Sequence, residues 1–133
     1  MTVTHENINV LVVDDMPEIR RIIRHVLHKS LHSYIIEAEN GLDAISKMLE
    51  HPPDLIITDL SMPRMTGLEF IGFVQQREDL AHIPIIILTS QSDEQTQIQA
   101  MGLHVKAFLQ KPFNPQKLMQ TLNEIVPEKY FLQ

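Results

Sequence analysis

Residues 55–67 read LIITDLSMPRMTG and set the pattern for the rest of the chain. Leu55 to Thr58 is a short apolar run, too brief for a helix, and it stops at once on an acid, Asp59. A run of that length bounded by turn residues suits a strand buried on both faces. Four further runs have the same character: Asn9 to Val13 (NVLVV), Tyr34 to Ala38 (YIIEA), Ile85 to Leu88 (IIIL) and Ala107 to Leu109 (AFL).

Between these runs the apolar spacing changes to that of a helix. Ile19, Ile22, Ile23, Val26 and Leu27 fall on one helical face, with Pro17 in the first turn, where a missing amide hydrogen costs least. Asn40-Gly41 precedes a second helix carrying Leu42, Ile45, Met48 and Leu49. Asn114-Pro115 opens another, with Leu118, Met119, Leu122, Ile125 and Val126 as its stripe. Two weaker helices are expected near Gly67–Gln76 and Asp93–Met101, the latter with the capping-box spacing of Ser92 and Gln95. Strands alternating with helices imply an α/β fold: a five-stranded parallel sheet, doubly wound, covered by helices on both faces in three layers. NVLVV, LIIT and IIIL suit central positions, whereas YIIEAE and AFLQK turn polar early, as edge strands do. The expected order is therefore 2-1-3-4-5, as in flavodoxin-like folds, with ligands beyond the carboxyl ends of strands one and three, where the order reverses.

Composition sets the outer limits. The 133 residues suit one domain, 1–133, with a tail at 127–133. Eleven Lys and Arg against seventeen Asp and Glu give a net charge of -6, without the basic footprint of a protein that binds nucleic acid or an anionic membrane directly. No apolar run approaches the roughly 20 residues of a membrane helix, and the start MTVTHENIN lacks a secretion signal. The absence of cysteine suits a cytoplasmic protein.

The expected crevice collects acids. Asp14 and Asp15 end the first strand and Asp59 ends the third. Three carboxylates held together are costly unless a cation joins them or their pKa values rise. All-oxygen ligation suits Mg²⁺, which prefers octahedral geometry and commonly shares its coordination with a phosphate. Thr89 ends the fourth strand and Lys111 follows the fifth, adding a hydroxyl and an ammonium to the same crevice. A carboxylate beside two cations can accept a phosphoryl group covalently, because the cations neutralise the transferring oxygens and screen an anionic nucleophile from an anionic donor. Asp59 stands alone on its strand and is the expected nucleophile.

At these residues the chain resembles the receiver domain of two-component response regulators. The matching stretches are VLVVDDMPEIRR, EAENGLDAI, PDLIITDLSMPRMTGLEF, PIIILTS and FLQKPF, which together cover nearly its whole length. The resemblance implies that Asp59 is the phosphoacceptor and that Asp14, Asp15, Asp59 and the main-chain carbonyl of Ser61 hold Mg²⁺. It also implies contacts from Thr89 and Lys111 to the phosphoryl group and a cis Lys111-Pro112 bond. A switch follows from it too: Thr89 moves toward the phosphoryl oxygen, Phe108 turns inward, and the face made by the fourth helix, fifth strand and fifth helix changes its preference for a downstream protein. Phe108 lacks the hydroxyl of the Tyr commoner at that position. The implied donor is a histidine kinase or phosphotransfer protein. The segment GLHVKAF, residues 102–108, is longer than the family's usual link, and Gln110 replaces a commonly apolar residue. Met16, Ser61 and Gln91 occupy the positions that tune phosphoryl lifetime, and none is charged.

The leading reading is a receiver acting alone, a switch that catalyses only its own phosphorylation and dephosphorylation. The second is the amino-terminal receiver of a longer DNA-binding or enzymatic regulator. The third is a Mg²⁺-dependent phosphohydrolase with an aspartyl phosphate, which normally has a second acid two residues after the nucleophile; here that residue is Ser61. His25, His28 and His32 have a spacing that could hold a transition metal, but solvated histidines near a helix carboxyl end are the expectation. The tail residues Tyr130, Phe131 and Leu132 are expected to pack or fray as an ordinary terminus.

Overall fold

The computed structural model describes residues 6–90, 102–112 and 114–132. Among the described residues the elements, with strands where the apolar runs predict them, are β1 (Ile8–Val13), α1 (Pro17–Ser30), β2 (Ser33–Ala38), α2 (Gly41–Glu50), β3 (Leu55–Thr58), α3 (Gly67–Gln76), β4 (Ile85–Thr89), β5 (Ala107–Gln110) and α4 (Pro115–Ile125). The helix expected near Asp93–Met101, with its Ser92 and Gln95 cap, lies outside the described residues, as does Gln91.

All five strands are parallel in the order β2-β1-β3-β4-β5, so the two polar-ended strands are the edges. Successive side chains of a strand point to opposite faces, and each central strand therefore feeds two cores. Leu11, Val13, Ile56, Ile85 and Ile87 pack with Ala44, Met48, Phe70 and Val74 of α2 and α3. Val10, Val12, Leu55, Ile57, Ile86 and Leu88 pack with Ile23 and Leu27 of α1 and Leu118 and Leu122 of α4. Side chains fully buried in this way contribute roughly 1.5–3 kcal/mol each relative to exposure.

The helix starts follow local chemistry. The side chains of Asn40, Thr66 and Asn114 accept the N–H of Asp43, Glu69 and Lys117, satisfying donors that the first turn cannot pair. Pro17 and Pro115 sit in first turns, as expected. Two apolar stripes differ from the expectation. On α2 the buried line is Gly41, Ala44 and Met48, while Leu42 and Leu49 are each 49% exposed. Gly41 leaves room for the Met65 side chain, which a Cβ there would meet at 2.8 Å, Ala44 is buried in the core, and the larger residues one position along are left at the helix's solvent edge. On α1, Ile22 is 42% exposed although its neighbour Ile23 is buried.

After α4 the chain makes a 3-10 turn at Glu128–Tyr130 and returns to the corner between α1 and β2. The Leu132 N–H donates to the Ser30 carbonyl at 2.9 Å and the His32 N–H to the Tyr130 carbonyl at 2.8 Å. Tyr130 and Phe131 pack on the α1/α4 core, so the tail is an ordinary packed one. The lengthened segment before β5 is also packed: Leu103 and Val105 lie on the α2/α3 core, with His104 at φ 57° making the turn between them.

Candidate functional site

The acids arrive at one place because two neighbouring strands, β1 and β3, end there. Asp14 follows β1, and its N–H continues the ladder to the Ala38 carbonyl at 3.0 Å; Asp59 follows β3, and its N–H bonds the Val13 carbonyl at 2.9 Å. Adjacent central strands thus present their first non-strand residues side by side. Carboxylate oxygens of Asp14, Asp15 and Asp59 all lie within 4.8 Å of one another, with Asp14 and Asp59 buried and Asp15 exposed. Among the described residues, no other set of three acids or histidines has this closeness, and His25, His28 and His32 form no such group.

Lys111 comes over from the end of β5. Its ammonium lies 2.6 Å from Asp14 Oδ2 and 3.5 Å from Asp59 Oδ2, and its side chain is 11% exposed. The Lys111 N–H donates to the carbonyl of Thr89 at 2.7 Å, which fixes the lysine's backbone to the end of β4. Thr89 is buried at that strand end. The Lys111-Pro112 peptide is cis, as the resemblance implies. Phe108 is half-buried and packs against the α2/α3 core.

The remaining contacts hold the carboxylates in place. Asp14 Oδ1 accepts the Met16 N–H at 2.9 Å, and Asp59 Oδ1 accepts the Leu60 N–H at 2.8 Å. Burial pushes the Asp59 carboxyl above its ordinary range; Lys111 opposes this, the Asp14 charge adds to it, and the backbone N–H groups of Ser61 and Leu60 pull it back. A carboxylate held charged in so little water gains from a cation. The donors are all oxygens, two of the three acids are buried, and the third faces solvent, which fits a Mg²⁺ that keeps several of its waters.

The loop after Asp59 has its own requirement. Arg64 takes φ 71°, and the Gly67 N–H returns to the Leu60 carbonyl at 2.8 Å. This brings Gly67 against the end of β3 so closely that a Cβ there would lie 2.2 Å from the Asp59 carbonyl oxygen and 2.6 Å from Leu60 Cα. The loop closes into α3 through a capping box of Thr66 and Glu69, a T-x-x-E pattern readable in sequence that the sequence reading passed over. Arg20 was also missed. Its guanidinium donates to the Asp14 main-chain carbonyl at 2.6 Å and to Glu37 at 3.0 Å, a contact across the β1–β2 register that no local pattern announces.

Comparison with known proteins agrees with this geometry. The chain is 35% identical over 120 residues to the sensor histidine kinase TmoS of Ectopseudomonas mendocina, a match that takes in 90% of this chain and spans only 12% of the kinase. It is 34% identical to a chemotaxis protein CheY homolog of Campylobacter jejuni, covering 88% of this chain and 91% of the relative. The chemotaxis response regulator CheY4 of Vibrio cholerae superposes with a TM-score of 0.83 at 31% identity, over 91% of this chain and 100% of CheY4. The response regulator receiver domain family matches residues 10–123, a stretch that includes both acidic strand ends and Lys111, and the chain belongs to that family.

Proposed function

We propose that the protein is a phosphorylation-controlled switch of a two-component system, with Asp59 as the residue that takes the phosphoryl group. The observation that carries this is the placement of the Lys111 ammonium 2.6 Å from Asp14 and 3.5 Å from Asp59 in a cluster of three carboxylates. The donor is a phosphohistidine of a histidine kinase or phosphotransfer protein, in keeping with the match to TmoS, a sensor histidine kinase. An Asp59 carboxylate oxygen forms a bond to phosphorus as the bond from phosphorus to the donor imidazole breaks, and the imidazole leaves with the electron pair and takes up a proton. Lys111 offsets charge on the transferred oxygens, and the Leu60 N–H steadies the carboxylate oxygen that does not react. Asp14, Asp15, Asp59 and the Ser61 main-chain carbonyl would hold Mg²⁺. When bound, that ion supplies the positive charge that lets an anionic acceptor meet an anionic donor.

The output follows from packing. Thr89 moves toward the new phosphoryl oxygen, and Phe108, half-buried on the neighbouring edge strand, turns inward. Replacing a carboxylate by its phosphoryl derivative adds only about one negative charge, so the change is mainly geometric and biases a packing with two arrangements. The altered surface includes β5 and α4, and a downstream protein reads it in the cytoplasm. The protein's own chemistry is limited to gaining and losing this group. With Ser61 two residues beyond Asp59, the site offers no carboxyl for a general acid there, which counts against a phosphohydrolase. The match to 12% of TmoS favours a second reading, in which the same switch serves as one module of a longer regulator.

Acetyl phosphate with Mg²⁺ is expected to add one acid-labile phosphoryl group to the protein, read by intact mass, and Asp59→Asn is expected to abolish it. Labelling that persists in that variant would move the acceptor elsewhere.

A further inference from the structure

Asp14 and Asp15 are held very differently. The Asp14 carboxylate is fixed on both oxygens, by the Met16 N–H at 2.9 Å and by Lys111 at 2.6 Å. Asp15 is exposed, and among the described residues its carboxylate takes part in no hydrogen bond or ion pair. Its direction is therefore set by its backbone, that is, by the peptide joining it to Asp14. The carbonyl of that peptide accepts the Arg20 guanidinium at 2.6 Å. Arg20 is itself clamped: its Nε bonds one oxygen of Glu37 on β2 at 3.0 Å, and Arg24 occupies the other. The Arg20 and Glu37 side chains are 17% and 29% exposed, so this fork is largely sheltered from water.

We propose that Arg20 is a positioning residue for the divalent cation: by gripping the Asp14–Asp15 peptide from the frame of Glu37 and Arg24, it aims the Asp15 carboxylate into the acidic pocket. This rests on the reading of that pocket as a Mg²⁺ site. The planar fork suits the task because it can bond a carbonyl and a carboxylate at once in a fixed geometry, which a lysine cannot. Outer contacts that orient ligands in this way commonly change metal affinity 10–100-fold.

Charge and geometry predict opposite signs here. Arg20 is a cation beside a cation site, so removing its charge alone would tighten Mg²⁺ binding. If Arg20 aims Asp15, removing it loosens binding despite that gain. The test is calorimetric titration of Mg²⁺ into the full chain and its Arg20→Gln, Arg20→Lys and Arg24→Gln variants, with thermal unfolding run alongside. Arg20→Gln is expected to weaken Mg²⁺ about tenfold. Arg20→Lys, which keeps the charge and loses the fork, is expected to weaken it comparably. Arg24→Gln removes the same charge but bonds only Glu37 among the described residues, and should stay within about twofold of the parent. Affinity unchanged or tighter in Arg20→Gln, or parental affinity in Arg20→Lys, would overturn the proposal while leaving the Mg²⁺ site intact. No uptake by the parent protein would remove both.

Discussion

Gly67 offers the sharpest test of the geometry around Asp59. Its Cα sits where a methyl group would stand 2.2 Å from the Asp59 carbonyl oxygen and 2.6 Å from Leu60 Cα, both of them backbone atoms that cannot rotate away. Overpacking a closed site costs about 1–3 kcal/mol, and contacts this short against main chain place Gly67→Ala at the upper end, about 3 kcal/mol. With roughly 2.1 cal/mol/K of unfolding entropy per residue, that lowers the Tm of a chain of this length by about 11 °C. The same substitution at Gly72 on the same helix meets nothing within 4 Å. There alanine removes only the helix penalty of glycine, and Gly72→Ala should raise stability by about 0.5–1 kcal/mol, or about 2–4 °C. Thermal unfolding by circular dichroism reads both. A second readout is the rate of phosphoryl uptake from acetyl phosphate, which should fall in Gly67→Ala, because the displaced Leu60 no longer presents its N–H to Asp59, and stay at the parental rate in Gly72→Ala. Two Tm shifts of the same sign, or Gly67→Ala within about 0.5 kcal/mol of the parent, would refute the close approach on which this reasoning rests.

Stability should also register the charge on Asp59. Because burial raises its folded pKa above the ordinary 3.8, its contribution to stability is fully present below that value and is lost as pH rises through the folded value. In chelator at neutral pH the ionised side chain is thus a net cost, and Asp59→Asn should melt higher than the parent, with the two curves converging as the solution is acidified below the ordinary value; an equal or lower Tm at neutral pH would count against it. Lys111→Ala leaves Asp14, whose side chain is 1% exposed, without its cation partner, and should cost roughly 3 kcal/mol. Millimolar Mg²⁺ should restore part of that loss, because it stabilises only the folded state; urea titration with and without the ion reads both effects, and a loss that Mg²⁺ does not reduce would argue against a shared pocket.

What could be read from the sequence was what depends on short range and on period. The strand runs, the proline and asparagine helix starts and the polar ends of β2 and β5 sufficed for the order of the sheet, and that order brought Asp14, Asp15, Asp59 and Lys111 together. The α2 stripe was misjudged because helical spacing alone favours the bulky Leu42 and Leu49, whereas the buried line is Gly41, packed against the Met65 side chain, with Ala44 and Met48. Arg20 was beyond reach for another reason. Its partners, the Asp14 carbonyl and Glu37, are a main-chain atom and a residue on an edge strand, and neither leaves a trace in local pattern. Gly67 is visible in the sequence as the start of an expected helix, but the need for glycine there is a collision with Asp59 and Leu60 that only three dimensions contain.

The packed tail has a practical corollary. The Lys129 ammonium meets Glu6 at 2.9 Å, so the first and last described stretches of the chain run together at the pole where β1 and β2 begin, across the sheet from the aspartates. Neighbouring ends are what a circularly permuted protein needs. A short Gly/Ser bridge joining these two stretches, with new ends cut into the exposed turn at Glu78–Asp79, should yield a rearranged chain that keeps its pocket, and a fluorescent reporter inserted in that bridge would stand clear of the chemistry it is meant to watch.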